Sequence, residues 1–397
     1  MLALEVYRSL PRYVAARALG SRVPGLIAGP VAPLRLVNRE EPKPVRDGWA
    51  RVAPRLSGIC GSDLATVSGS ASFYFSALVS LPFVPGHEVV GELLDECDDL
   101  GRGTRVVLDP VLGCLPRGFE PCTACAAGDA NRCDRITVGH LSPGLQTGYC
   151  EQTGGGWSRT MLAHRSQLHP VPDELPDERA VLVEPLACAV HTAGRAAVPD
   201  GGSVLVVGAG AVGLLTVLAL RALTGSGPVT VVAKHPRQAE LARRFGATAV
   251  VGPGEVTGGV RRATRALRLS PERGPDFLLG GVDVAIDAAG SRGSLDTALR
   301  LVRAGGRVVC AAMPAPGADL SPAWFRELEV VGAYSGGTGP DGRSAFGTAL
   351  DIAGTAPLDG LVGGTYALYR WREALDHALS AGRLGTVKVV FDPRSSS

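Results

Sequence analysis

Little unbalanced charge is left in this chain: 40 Lys and Arg stand against 38 Asp and Glu, a formal net charge of +2. That excess is too small to support binding to nucleic acid or an anionic membrane, and no arginine-rich stripe with interleaved aromatics is present. The expected partner is a small molecule. Long apolar runs are missing too, and no segment reaches the roughly 18 residues that a membrane span requires. The stretch carrying Arg8, Arg12, Arg17 and Arg22 superficially resembles a transit peptide. It contains no secretory apolar core or small-residue cleavage site, and Leu2 to Val6 already reads as a first strand, so a cytoplasmic protein is expected. At 45% hydrophobic and 20% charged over 397 residues, the composition is that of a soluble globular protein with room for two domains, and disorder is not expected outside the termini.

What the chain does have is glycine and cysteine. The 53 glycines, together with the excess of Arg over Lys, fit a GC-rich genome and say little about function. Of the nine cysteines, Cys114, Cys122, Cys125 and Cys133 crowd one short stretch with a Cys-x2-Cys at its centre. In an intracellular enzyme that pattern reads as metal binding rather than a disulfide framework.

Residues 1–186 carry short β-type segments (Trp49 to Val52, Val89 to Leu93, Arg105 to Leu108) divided by Gly and Pro, which predicts a β-rich, barrel-like domain. From Val204 the pattern alternates: strand Val204 to Val207, a glycine loop, an apolar helix to Leu223, strand Val229 to Val232, and a helix from Arg237 to Phe245. Further strands are predicted at Val282 to Ile286 and Gly306 to Cys310, with a helix from Ser294 to Arg303 between them. Such βαβ alternation predicts a parallel sheet wound with helices over residues 187–335. Residues 336–397, with a helix from Trp371 to Ser380 and a last strand from Val387 to Phe391, are expected to return to the first domain.

The glycine loop is Gly208-Ala209-Gly210-Ala211-Val212-Gly213, following an apolar strand and opening a helix. In that context the glycines permit a tight turn and close approach of a pyrophosphate, and the helix amino terminus supplies N–H donors. A NAD site would end the second strand with an acidic residue. Here Val232 leads into Ala233, and Lys234, His235 and Arg237 follow closely, which favours NADP(H) over NAD(H); the alternative is an ordinary solvated loop. Ahead of this loop, Cys60 lies in Gly58-Ile59-Cys60-Gly61-Ser62-Asp63 and His87 in Pro85-Gly86-His87-Glu88. A thiolate and a neutral imidazole suit Zn²⁺, and a carboxylate can complete three protein ligands while the fourth position stays open for substrate.

With these motifs, the cysteine cluster and Val183-Glu184-Pro185-Leu186 in this order, nearly the whole chain resembles the zinc-dependent medium-chain dehydrogenase/reductase family of alcohol and polyol dehydrogenases. The resemblance implies a GroES-like catalytic domain, a Rossmann α/β domain with a doubly wound parallel sheet, and an active site in the cleft between them. It implies Cys60 and His87 as catalytic zinc ligands. Glu184 falls where many members place a cysteine ligand and is similar to the Glu-Pro branch of polyol and sugar dehydrogenases; it is favoured as third ligand, with Glu88 kept as a direct or exchanging one. Ser62 matches the hydroxyl that relays the substrate proton. A homodimer or homotetramer is expected.

Two departures matter. Many members carry a histidine a few residues past the catalytic cysteine, but Ser62 to Val67 contains none, so the proton route beyond Ser62 is open. The usual structural zinc motif would place its first cysteine at Phe119; Cys114, five residues earlier, is expected to supply the fourth thiolate beside Cys122, Cys125 and Cys133. Hydride transfer between NADP(H) and an alcohol or carbonyl is the resulting expectation. A polyol or sugar dehydrogenase is the nearest alternative, supported by Glu184, whereas Phe73-Tyr74-Phe75 suggests a more apolar pocket or plain core. A metal-free enoyl or quinone reductase would not need Cys60 and His87. A nucleotide-binding sensor on the same fold is the alternative of another class.

Overall fold

The computed structural model describes residues 1–19, 25, 29 and 31–395; Arg22, read above as part of a transit-like stretch, lies outside them. Packing divides the chain into two units, Met1–Glu184 with Ala349–Ser397, and Pro185–Thr348. No helix among the described residues is long and apolar enough to cross a membrane.

In the first unit, and among the described residues, a seven-stranded sheet runs in the order Val362–Tyr366, Lys388–Phe391, Trp49–Gly58, Val89–Leu93, Arg105–Leu108, Leu168–Pro170, with Met161–His164 also paired to Trp49–Gly58. Its pairs are antiparallel except Val362–Tyr366 with Lys388–Phe391. The tail therefore enters this sheet directly: Val390 and Phe391 pair with Gly58 and Ser57. One core of this unit gathers Leu4, Phe83, Val84, Trp157, Trp371 and Phe391, residues drawn from both ends of the chain. Within the amino-terminal arginine-bearing stretch, Leu10–Leu19 forms a helix that carries Arg12 and Arg17.

The second unit holds a six-stranded, all-parallel sheet in the order Ala249–Val251, Val229–Val232, Val204–Val207, Val282–Asp287, Val302–Cys310, Glu329–Gly332. Read by position in the chain this is 3-2-1-4-5-6, the Rossmann order. Strand Val204–Val207 is buried throughout, as a central parallel strand covered on both faces must be. Helix Pro236–Arg244 begins one residue before the expected Arg237 because Pro236, lacking an N–H, fits the first helical position. The helix expected to reach Arg303 ends at Leu301, and Val302 already belongs to the next strand.

The segment from Cys114 to Gly144 has little regular structure and is braced from inside by Arg117. This buried side chain donates to the carbonyls of Leu112 (3.0 Å), Val138 (2.9 Å), Leu141 (3.1 Å), Ser142 (3.2 Å) and Gly144 (2.8 Å). A guanidinium offers five N–H donors in a fixed fork, which an ammonium cannot reproduce. Arg117→Met, of similar length, should therefore destabilise the protein by roughly 3 kcal/mol or more in denaturant titration, because several buried carbonyls lose their donor. Arg117→Lys should recover only a small part of the loss; full recovery would show that charge, not the fork, is what the loop needs.

Candidate active site and cofactor loop

Cys60 leaves the strand Trp49–Gly58 and caps the helix Gly61–Val67 at its amino terminus, its backbone extended at φ −88° and ψ 157°. The cap is completed by Asp63, whose carboxylate accepts the Cys60 N–H at 2.9 Å. That helix thus presents Cys60, Ser62 and Asp63 from its first turn. His87 lies two residues ahead of strand Val89–Leu93, and its Nδ1 lies 3.5 Å from the second oxygen of buried Asp63. Neither of those two atoms has a conventional hydrogen bond, although both are fully buried. On the other edge of the ring, Nε2 lies 3.5 Å from the Ser62 hydroxyl, and the Cys60 sulfur is near enough to act on the imidazole electrostatically. Burial works to lower the His87 pKa, but the Asp63 carboxylate and then the Cys60 sulfur raise it, and the net shift is well upward. A thiol, an imidazole and a carboxylate behind the imidazole are the arrangement in which a histidine donates one N–H to an acid and offers its other nitrogen to a metal.

The two remaining carboxylates differ. Both oxygens of Glu88 lie 2.6 Å from the Lys388 ammonium, which also donates to the Ile59 carbonyl at 3.4 Å. Gly58 is what lets this carboxylate lie against the backbone, since a Cβ there would collide with it. Burial lowers the Lys388 pKa, but Glu88, Cys60 and Glu184 together raise it further, so the ammonium stays charged. Glu184 is buried in the first turn of helix Val183–Ala196. Neither carboxylate forms a compact triad with Cys60 and His87: among the described residues, the four-cysteine group is the only one whose three or more ligand atoms all lie within 4.8 Å.

That group unites Cys114, Cys122, Cys125 and Cys133. A left-handed turn at Gly118 (φ +76°) and the Phe119 N–H donated to the Cys114 carbonyl double the chain back. This is how a cysteine five residues early reaches the cluster. Sulfur separations of 3.6 Å (Cys114 to Cys133) and 4.0 Å (Cys122 to Cys133) bracket the roughly 3.8 Å edge of a tetrahedron with 2.3 Å zinc–sulfur bonds. Backbone N–H groups of Cys122 and Arg135 point at the sulfurs of Cys114 and Cys133, at 3.3 and 3.4 Å.

In the second unit, Gly208 (φ +110°) makes the turn after strand Val204–Val207, and Gly213 packs so closely on the Gly208 carbonyl that a side chain would collide. Gly210 caps helix Ala211–Leu223, and a Cβ added there would meet no protein atom within 4 Å. Open space beside a bare helix amino terminus fits a pyrophosphate. Ala233 is buried at the end of strand Val229–Val232 and Lys234 is exposed. Arg237 is paired with Glu240 at 2.7 Å, and the Gln238 carbonyl oxygen accepts from the backbone of Lys234 and His235.

The aromatics Phe73-Tyr74-Phe75 are not the core alternative raised from sequence. They form a short 3₁₀ turn in which Phe73 and Tyr74 are exposed, because Phe73 stacks on Tyr13 and Arg17 of the amino-terminal helix instead of entering the interior. Conversely, sequence reasoning missed the parts played by Asp63, Lys388 and Tyr149, whose ring lies 5.9 Å from that of His87. Asp63, three residues past Cys60 at a helix start, carried a capping signal that could have been read; the other two carried none.

Two known families match the chain: residues 46–173 match the alcohol dehydrogenase GroES-like domain, and residues 211–353 match the zinc-binding dehydrogenase domain. A probable D-xylulose reductase A from Aspergillus terreus is 32% identical over 72% of this chain and 75% of its own length. Sorbitol dehydrogenase from Bacillus subtilis is 28% identical over 81% of this chain and 84% of its own. Among solved structures, a putative zinc-binding dehydrogenase from Sinorhizobium meliloti 1021 bound to NADP is similar, with a TM-score of 0.69 and 27% identity over 91% of this chain and 95% of that one.

The Lys388–Glu88 pair makes its own prediction. Lys388→Met leaves a buried carboxylate without its cation and should cost about 3–5 kcal/mol in denaturant unfolding. The double variant Glu88→Gln with Lys388→Met should regain most of that stability, and a purely additive double variant would show that the two groups are not energetically coupled.

Proposed function

Because the chain belongs to the zinc-dependent medium-chain alcohol and polyol dehydrogenases, we propose that it interconverts a polyol or sugar alcohol and the corresponding carbonyl compound, with NADP(H) as hydride carrier. Membership makes it an oxidoreductase and removes the sensor alternative. The observation that carries the finer reading is the meeting of Cys60, Ser62, Asp63 and His87 at the start of helix Gly61–Val67. Zinc held by Cys60 and His87 would supply Lewis acidity to the substrate oxygen. With the Asp63 carboxylate 3.5 Å from Nδ1, Nε2 is the ring nitrogen that would face the metal, and Ser62 stands beside it to take or return the substrate's hydroxyl proton. Glu184 is the carboxylate proposed to complete the ligand set, since both Glu88 oxygens are engaged by Lys388. The four converging sulfurs are proposed to hold a second, structural zinc. The substrate class is supported by Glu184 in its Glu-Pro context and by relatives named for xylulose and sorbitol. NADP(H) is supported by Ala233 in the place of an acid, by the exposed Lys234 and by the NADP-bound neighbour. With Arg237 tied to Glu240, Lys234 and His235 are left as the 2′-phosphate's main partners.

A cofactor-coupled screen of polyols, sugars and simple alcohols with both nicotinamides tests this. Turnover of polyols with NADP⁺ above that of simple alcohols is expected; the absence of turnover with any polyol would overturn the substrate assignment. NADPH should bind more tightly than NADH, and Ala233→Asp should level or reverse the preference, since each charge-assisted hydrogen bond contributes roughly 1.5–3 kcal/mol.

Metal analysis should find about two zinc ions per chain. Glu184→Ala should lose more of the catalytic zinc than Glu88→Ala, and the opposite order would reassign the ligand. Cys122→Ser should lower both metal content and thermal stability.

A further inference from the structure

The strand order of the second unit reverses between Val204–Val207 and Val282–Asp287, and in open α/β sheets a ligand lies in the crevice at the carboxyl ends of two such strands. Asp287 ends the second of them. It is paired with Val207 on one side and Cys310 on the other, and it is fully buried. Its backbone carbonyl accepts the N–H groups of Ala311 (2.9 Å) and Ala312 (3.1 Å), and its side-chain Oδ1 accepts those of Ala289 (3.1 Å) and Gly290 (3.0 Å). One residue thus ties together the loops that follow two neighbouring strands. Oδ2 is buried without a hydrogen-bond partner among the described residues, and the Ser294 hydroxyl donates to the Ser291 carbonyl at 2.8 Å. Burying such a group is unfavourable, and what its engaged oxygen does is hold residues 288–290. Those residues form the wall behind the glycine loop. A Cβ added to Gly208 would stand 2.9 Å from the Ala289 Cβ, and one added to Gly213 would stand 3.2 Å from the Ala288 Cβ.

We propose that Asp287 is a positioning residue for the nicotinamide dinucleotide: it holds residues 288–290 against the glycine loop, so that the pyrophosphate seat is formed before the cofactor arrives. This rests on the dehydrogenase reading given above. Being fully buried, the carboxylate acts only through the amides of Ala289 and Gly290. Without that acceptor, two N–H groups would be left unpaired in the interior. The loop would turn them to water and withdraw Ala288 and Ala289 from Gly213 and Gly208. A seat formed in only a fraction of the molecules binds with an affinity lowered by that fraction. The effect falls on the part of the cofactor that NADPH and NADH share. Lys234 and His235, the proposed partners of the 2′-phosphate, follow strand Val229–Val232, which lies on the other side of Val204–Val207.

Asp287→Ala should raise the Kd of both NADPH and NADH about tenfold in calorimetric titration of the zinc-loaded protein, leaving their ratio unchanged. KM for NADP⁺ should rise with it, while kcat and KM for the polyol change less than about twofold. Asp287→Asn keeps an amide oxygen that can accept both N–H groups, and should bring the affinity back to within about threefold of that of the unsubstituted protein. Hydrogen exchange supplies a measurement that needs no variant: the amides of Ala289 and Gly290 should already be protected in the cofactor-free protein, and NADPH should add little. Unchanged Kd in a folded Asp287→Ala protein would overturn the proposal. So would an equal loss of affinity in Asp287→Asn, or Ala289 and Gly290 amides that exchange freely until NADPH binds. If Asp287→Ala does not fold, the exchange measurement decides. Failure of the reading beneath is distinguishable, because the unsubstituted protein would then bind neither NADPH nor NADH.

Discussion

The Lys388–Glu88 ion pair joins residues 300 positions apart, and the geometry around the candidate active site depends on it. Neither charge could be buried alone, since an unpaired ion in the interior costs several kcal/mol. The last strand is therefore held in the register that sets Lys388 on Glu88. That register has consequences on both sides. The Ile59 N–H donates to the Val389 carbonyl at 2.9 Å and Lys388 donates to the Ile59 carbonyl, so the residue immediately before Cys60 is tied to the tail. The residue immediately before Glu88 is His87. One buried pair thus locates the two proposed zinc ligands by their chain neighbours. Breaking it should disturb the thiol and the imidazole together.

A second regularity is that each chemically important residue stands at the end of an element. Cys60 is both the exit of a strand and the cap of a helix, His87 precedes a strand, Glu184 opens a helix, and Gly210 caps the helix of the cofactor loop. At such ends the backbone is fixed by the regular structure on one side, while polar groups without internal partners face outward on the other. Rigid placement and unused bonding capacity occur together there. Residues in the middle of the same elements, such as the fully buried Leu215 and Val217 of the helix that Gly210 caps, have the first property without the second.

This explains what could be read in the sequence. The local settings of the glycine loop, Cys60 and His87 were legible because each is expressed within a few residues: a turn, a cap, a strand beside it. The parallel, helix-wound character of the second unit was legible in its alternating apolar segments for the same reason, whereas the order of its strands was not predicted. Arg117, Lys388 and Tyr149 were not legible. Arg117 gathers carbonyls as far away as Gly144, Tyr149 reaches back 83 residues to Thr66, and Lys388 reaches 300 to Glu88. No local pattern distinguishes an arginine that braces a loop from one on a surface, or a strand lysine that points inward to a carboxylate from one that points to water. Cys114 lies between these cases: its residue type was telling, but its arrival beside Cys122 depended on the left-handed turn at Gly118.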